Sequence, residues 1–467
     1  METVLYNIDS KLKKPIYLQL YEEIKKDIQT NLKAGEKLPS IRKMTTDYKI
    51  SKNTVQTAYN QLFAEGYIES IPQSGYFVSE NLYDSFKKEN EIEVEDKTTD
   101  NIVKYDFFPA CLSADTFPKK TWLRLYNKVL KSSLNLGIYH NNQGDIELRE
   151  QITKYLKSSR SVNCTVDNIV LTSGFADSMF IVSKILKDEI KKIAFETPSY
   201  RVAKKVFEQH NFEIEEIEVQ QNGINLNQLK KSNAKLLYLT PSHQYFFGVT
   251  TPIANRIEII NWAKDNNSYI IEDDYDSELS YNNRPIPAMQ GINNNEQVIY
   301  TGTFSKSFSP SIRVAYLVLP TKLLKRYKKE FDYHFSNIPI DIQKTLALFI
   351  KEGFWERHLR KVRTQNKKKH DIMKNFLYSK MIDEIEILRE GSGLNILIKP
   401  IINIDLEILK KEAQNKYMKL YLRNLNTKEE VLSMGFGGFK ENDLKKALEI
   451  FYTLWQEQKS KSNLYKL

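Results

Sequence analysis

The sequence predicts an α/β protein in two parts: a small N-terminal head of three helices and a hairpin, and a large domain built of strand–helix units. Three observations carry this. The chain has 467 residues, more than one hydrophobic core usually serves. Helical periodicity at the N-terminus gives way to two short strand-like runs before residue 80. Further on, apolar strand-like runs end in polar clusters, as "YII" does at "EDDYDSE", or turn through Ser-Gly into a helical pattern, as in "NIVLTSGFADSMFIVSKIL".

In the head, Ile16, Leu20, Ile24 and Ile28 recur at helical spacing, and Gly35 is placed to close that segment. A short second helix fits "LPSIRKMTTDYKIS", and Ser51 is an N-cap for a third helix reaching Gly66. On the third helix Val55, Tyr59, Leu62 and Phe63 share one face, while Lys52, Asn53, Gln56, Thr57 and Asn60 share the other. "YIESIPQSGYFVS" reads as two short strands with Gly75 in the turn, a wing. The pattern alone fits two things: a helix-turn-helix offering Lys, Asn and Thr to a DNA major groove, or a small helical domain with a polar exterior.

The net charge of +10 does not concentrate in this head, since residues 1–80 hold eleven Lys and Arg against ten Asp and Glu. Residues 81–103 hold seven acids against three lysines and read as a solvated acidic linker. The remaining residues therefore carry +13, much of it Lys on exposed helical faces such as "RKVRTQNKKKH". Cys111 and Cys164 form no metal or redox spacing, which fits a reducing compartment. No apolar run is long enough to span a bilayer and no signal core opens the chain. A cytoplasmic protein with domains at 1–80 and 104–467 is the expectation.

The run from "GEKLPSIRKMTTDYKIS" through "KNTVQTAYNQLFAEGYIESIPQSGYFV" closely resembles the winged helix-turn-helix of the GntR family over about residues 11–80. The resemblance implies binding to double-stranded operator DNA, with contacts from Arg42, Ser51, Lys52, Asn53 and Thr54 and with Gly75 at the wing tip. Four basic residues and one acid between positions 42 and 52 agree with that.

In the large domain, Lys306 sits among small hydroxyl residues in "TGTFSKSFSPSIRVAYLVLP". A desolvated lysine condenses with an aldehyde to a Schiff base. Pyridoxal phosphate would also need a carboxylate for its ring nitrogen, a donor for its phenolate and a phosphate cradle. Asp273 and Tyr275 stand at the end of a strand beginning at Tyr269, Thr303, Ser305 and Arg313 flank the lysine, and Ser173, Gly174 and Phe175 open a helix whose amides suit an anion. Singly, these residues fit a polar strand exit, a surface lysine or an ion-pair partner. Together they occur in the order one phosphate-aldehyde site requires.

The segments "YDFFPACLSADTFPKKTW", "YHNNQGDIELREQI", "ETPSY", "LTPSHQYFFG", "IEDDYDSE" and the lysine segment resemble landmarks of the class I aminotransferase-like, fold-type I domain. Its join to a GntR head resembles the MocR/GabR regulators. That resemblance implies Lys306 as covalent anchor, Asp273 at the pyridine nitrogen, Tyr275 at the phenolate, Arg313 at the phosphate, Tyr200 stacked on the ring, and His243 and Gln244 nearby. It implies a homodimeric regulator that senses a small-molecule effector, with metal-free sites; the alternative is an active aminotransferase carrying an accessory head. The chain departs from the family at Asn141 and Asn142, at Phe246 and Phe247, and at Ser433, where relatives place an arginine for an amino-acid carboxylate. The missing arginine favours a response to pyridoxal phosphate itself, unless Arg201 or Arg423 substitutes.

Overall fold

The computed structural model describes residues 6–9, 11–79, 103–281, 286–292, 296–425 and 429–464. The stretch expected to link the two parts, 81–103, lies outside the described residues except for Val103. The chain divides into two compact units, Met1–Thr99 and Asp100–Leu467.

The first unit holds α1 (Ile16–Thr30), α2 (Ile41–Tyr48), α3 (Lys52–Ala64), β1 (Ile68–Ile71) and β2 (Gly75–Val78). Two serines set the helix starts. Ser40 accepts from the Lys43 amide at 3.2 Å and Ser51 from the Thr54 amide at 3.1 Å, each satisfying an amide the first turn leaves free. Leu20, Ile24 and Ile28 of α1 pack on Met44, Val55, Ala58, Tyr59 and Leu62. The buried face of α3 thus runs 55, 58, 59, 62, and Phe63, expected on it, lies 52% exposed because it falls one step past that stripe. Gly35 does not end α1. The helix stops at Thr30, where Asn31 donates to the Asp27 carboxylate at 2.8 Å, and Gly35 turns the following loop at φ 74°. The wing pairs Ile68 with Val78 and Ile71 with Gly75 in antiparallel register.

The second unit begins with β3 (Tyr105–Asp106) and is built on a sheet of eight strands among the described residues. These are β4 (Ile169–Thr172), β5 (Lys192–Thr197), β6 (Glu213–Gln220), β7 (Gly223–Ile224), β8 (Leu236–Leu239), β9 (Tyr269–Asp274), β10 (Val298–Thr303) and β11 (Ala315–Val318). Their order is β4-β11-β10-β9-β8-β5-β6-β7, with β10, β9, β8, β5 and β6 mutually parallel. The central parallel strands β5 and β8 are buried on both sides because helices cover both faces, giving separate clusters around Phe195, Phe207 and Leu323 and around Leu237, Ile260 and Trp262.

A smaller antiparallel sheet orders β12 (Ile385–Arg389), β13 (Asn395–Pro400), β16 (Glu430–Gly435) and β15 (Leu422–Asn424), while β14 (Met418–Lys419) pairs with β3. The helices Phe354–Met381 and Glu441–Leu464 cover it, burying Met373, Leu377, Phe451 and Trp455. Among the described residues no helix is long and apolar enough to cross a membrane.

The end of β9 sets the directions of three consecutive acids. Side chains alternate across a strand, so Glu272 and Asp274 point to one side and Asp273 to the other. Asp274 accepts from Arg160 Nε at 2.6 Å and Tyr300 Oη at 2.5 Å, while the same guanidinium reaches Ser242 Oγ at 2.6 Å and the Ile286 carbonyl at 2.7 Å. One buried ion pair joins the helix Ile146–Arg160, two strands and two loops. Removing one partner leaves a buried charge uncompensated, at about 3–5 kcal/mol. Asp274→Ala is therefore expected to destabilise the second unit by that amount in denaturant unfolding, with the unfolding of the head unchanged.

Candidate functional site

A cavity of ≈ 440 Å³ lies at the C-terminal ends of β9 and β10, closed on the far side by residues of β12, β13 and β15. Asp273 enters it from the end of β9. Tyr238, on β8, donates its hydroxyl to Asp273 Oδ2 at 2.6 Å, as the register Tyr238↔Ile271 requires of residues sharing one sheet face. Among the described residues no cation pairs with Asp273, so burial pushes its carboxyl up to about 8. The nearby Glu196, which accepts from the Thr240 amide at 3.0 Å, is pushed up to about 7 by burial.

Lys306 stands in the turn after β10 and lines the cavity. Burial pushes its amine down to about 8, with Arg389 and Arg423 acting in the same direction and Asp276 and Asp273 opposing. Thr303 and Ser305 line the cavity beside it, the Ser305 amide donating to Thr303 Oγ1 at 3.1 Å. Arg313, at a left-handed φ of 52°, brings its guanidinium against Gly174, the residue that opens the helix Phe175–Leu186. A Cβ at Gly174 would stand 2.1 Å from Arg313 Nη2, so a side chain there would expel the guanidinium from the helix N-terminus. A desolvated amine, a buried acid and an arginine at a helix N-terminus fit an aldehyde that carries a phosphate and a basic ring nitrogen.

The other expected residues distribute around this frame. Phe175 and Tyr200 line the cavity with ring centroids 5.3 Å apart. Tyr275 lines it too, its hydroxyl receiving Arg389 Nη2 at 3.2 Å. Ser173 is turned away: its amide and hydroxyl both donate to Asp177, at 2.7 and 3.0 Å. His243 is buried behind the cavity wall, its Nδ1 2.9 Å from Asp276 Oδ1, and Gln244 donates to the Pro198 carbonyl at 2.7 Å.

Two arginines line the cavity from other strands. Ser433 of β16 is buried and its hydroxyl accepts from Asn395 at 3.0 Å. Arg423 of β15 and Arg389 of β12 line the cavity, whereas Arg201 is exposed. Arg389 was not among the expected residues. It donates to the Tyr245 carbonyl at 2.6 Å and to Asp276 Oδ2 at 3.2 Å. Its sequence signal is faint: one Arg ahead of "EGSGLN", whose Gly393 would place a Cβ 2.8 Å from the Arg389 guanidinium. Among the described residues no His, Cys, Asp and Glu group could hold a metal.

In the head, Arg42, Lys52 and Asn53 are exposed, while Thr54 is half-buried with its hydroxyl 2.8 Å from Ser51 Oγ. Gln56 donates to Asn60 at 2.9 Å and to Tyr76 of the wing at 3.2 Å, tying α3 to β2. Gly75 starts β2 at φ 111°, in the left-handed range that favours glycine.

Fold and site together define a regulator: a DNA-binding head of the bacterial regulatory proteins, gntR family, matched over residues 16–78, joined to an aminotransferase class I and II domain matched over residues 112–389. The chain is 33% identical over 452 residues to the HTH-type transcriptional regulator YdeL of Bacillus subtilis, covering 95% of this chain and 97% of that one. It is 29% identical to the probable rhizopine catabolism regulatory protein MocR of Rhizobium meliloti, covering 86% of this chain and 85% of the relative. The multiple substrate aminotransferase of Thermococcus profundus superposes with a TM-score of 0.68 at 19% identity, over 78% of this chain and 93% of the enzyme. The chain belongs to the MocR/GabR subfamily of GntR-type transcriptional regulators.

The neutral form of Lys306 is the one that attacks an aldehyde. Lowering its pKa from the ordinary 10.5 to about 8 raises that form's share at neutral pH. The rate of borohydride-trapped attachment of pyridoxal phosphate should therefore rise with pH and reach half its plateau near pH 8. A rate still climbing toward pH 10.5 would contradict this burial effect.

Proposed function

We propose that this protein is a cytoplasmic, homodimeric transcriptional regulator that holds pyridoxal phosphate on Lys306 and changes its grip on an operator when a small effector enters the cavity. The observation that carries the reading is the juxtaposition of Lys306, Asp273 and the Arg313–Gly174 cradle in one cavity. When bound, the cofactor supplies an aldehyde for the lysine and an electron-poor ring. Asp273 would meet the ring nitrogen and keep it protonated, exchanging its raised pKa for an ion pair. Tyr275 would donate to the phenolate, Arg313 with Thr303 and Ser305 would hold the phosphate, and Tyr200 would pack against the ring.

The head would read double-stranded DNA with the N-terminal turn of α3. Arg42 and Lys52 suit phosphates, and Asn53 and Thr54 suit base edges. Pairing of two chains is supported by an exposed apolar patch on the second unit: Tyr139 is 81% exposed and stacks on Phe335 at 4.4 Å, beside Leu136 and Ile138 in the chain. A dimer also suits paired half-sites. MocR's own name ties it to a catabolic route, which supports a small-molecule effector here.

Two experiments test this. Protein supplied with pyridoxal phosphate should show visible absorbance that Lys306→Ala abolishes, and a reduced adduct on any other lysine would overturn the assignment. Lys52→Ala should weaken binding to all DNA sequences and reduce the salt slope by about one, whereas Asn53→Ala should change base preference by roughly 1–3 kcal/mol. Equal losses on operator and random DNA for both variants would contradict that division.

A further inference from the structure

His370 lies outside the cavity, 1% exposed in the helix Phe354–Met381, and both of its ring nitrogens have partners. The Gly391 amide donates to Nε2 at 3.0 Å, so that nitrogen carries no proton; the proton sits on Nδ1, which donates to Asp371 Oδ1 at 3.0 Å. The imidazole is thus held neutral, as one tautomer. Its ring is packed against Tyr281 and Phe436, at 5.2 and 5.8 Å between centroids, which opposes any turn of Nε2 away from Gly391.

Gly391 stands in the turn between β12 and β13, at a left-handed φ of 82°. Its carbonyl accepts from the Tyr281 amide at 3.1 Å, and two residues further on the Gly393 amide donates to the Leu279 carbonyl at 3.0 Å. This turn is a wall of the cavity, for Arg389, Gly393, Leu394 and Asn395 all line it. From Arg389 the connection continues to the other sheet: Nη2 donates to Tyr275 Oη at 3.2 Å and Nη1 to the Tyr245 carbonyl at 2.6 Å. Holding Gly391 therefore holds the Tyr275 side of the cavity.

We infer that His370 is a positioning residue: while its imidazole is neutral it clamps the β12–β13 turn, and with it the Arg389–Tyr275 wall, and on protonation it lets the turn go. A protonated ring carries N–H on both nitrogens and sets one against the Gly391 N–H, leaving a buried donor without an acceptor. The groups facing the ring pull both ways. On its own helix Asp371, which Lys367 also holds at 3.0 Å, favours the imidazolium, as does Glu390 of the turn, while Lys374, paired with Glu390 at 2.8 Å, opposes it. Tyr281 presents a phenol kept neutral by burial, and Phe436 brings no charge. Burial is the largest influence and holds the imidazole below the ordinary 6.5 of histidine. The clamped ring thus takes up a proton less readily than the released one. The clamp is whole above pH 6.5 and loosens as the pH falls below it, by at most about one factor of ten per pH unit, until the clamped ring itself protonates. The consequence for binding rests on the proposed cofactor site: a released turn withdraws support from Tyr275 and weakens the hold on pyridoxal phosphate.

The test compares the full-length protein with His370→Gln, whose side-chain carbonyl accepts an amide N–H at any pH. Hydrogen exchange of the peptide spanning residues 389–395 is measured without cofactor near pH 7.5 and near pH 5.5, scaled to intrinsic amide rates, with residues 169–172 of β4 as reference. The natural protein should open this turn about three- to tenfold more at the lower pH against an unchanged reference, and His370→Gln should show no such rise. Pyridoxal phosphate affinity is taken as the ratio of the two proteins, so that titration of Lys306 and of the cofactor cancels. That ratio should shift about three- to tenfold against the natural protein between the two pH values. A turn equally closed at both pH values, the same rise in His370→Gln, or an affinity ratio that does not move would overturn the inference. If His370→Gln fails to fold, exchange of the turn against the reference in the natural protein decides alone. Failure of the natural protein to take pyridoxal phosphate near pH 7.5 would sink the cofactor reading and leave the exchange result to decide the clamp.

Discussion

The end of β9 is the constraint on which the rest of the site depends. Three consecutive buried acids, Glu272, Asp273 and Asp274, would repel one another if all faced one way. Strand alternation separates them. Glu272 receives the Met289 and Gln290 amides at 2.8 and 3.0 Å, and Asp274 takes Arg160 and Tyr300, all on the side away from the cavity. Asp273 alone faces the cavity, with a single phenol for company. The two outer acids draw their partners from the scaffold, Asp274 through Oδ2, and the middle one has no cation beside it. That asymmetry leaves Asp273 facing the cavity with no ion-pair partner among the described residues, which supports the proposed contact with a ligand's basic nitrogen.

A similar division governs the Arg313 end of the cavity. Arg313 occupies a left-handed conformation that an ordinary side chain adopts only with support, and its guanidinium lies where Gly174 has no Cβ. The turn at Lys306, the left-handed Arg313 and the glycine at the helix start are three local features on different segments. They meet because β4, β11 and β10 are neighbours in the sheet. The cavity's lining is therefore a product of sheet order, and the second sheet adds a different layer, the arginines on β12 and β15.

Much of this was legible in the sequence, and what was not has a common physical cause. Lys306, Asp273, Tyr275 and Arg313 could be read because each sits in a short segment whose strand and turn are dictated locally. The caps Ser40 and Ser51 and the wing were local in the same sense, although Ser51 alone was anticipated as a cap. Arg423 stood out only as a possible substitute, and Arg389 not at all, because their approach to the cavity depends on the order β12-β13-β16-β15, a long-range pairing that periodicity does not encode. Ser433 is buried on β16 with no arginine at its place, and the neighbouring β15, whose Arg423 pairs directly with Val431, brings an arginine to the cavity instead. Ser173 and His243 share segments with cavity residues, yet their side chains turn to Asp177 and Asp276. Sequence proximity located the segment and could not give the direction.

The central claim is that occupancy of the cavity and grip on DNA are one equilibrium. Coupling between two sites is reciprocal, so each ligand must change the affinity of the other by the same factor. The measurement that tests this most directly is operator affinity of the full-length protein with and without pyridoxal phosphate, set beside pyridoxal phosphate affinity with and without operator, repeated on Lys306→Ala. The account predicts matching factors of at least about fivefold in the natural protein and a smaller, equally matched factor in the variant. Operator affinity indifferent to the cofactor, in protein whose Lys306 carries it, would contradict it.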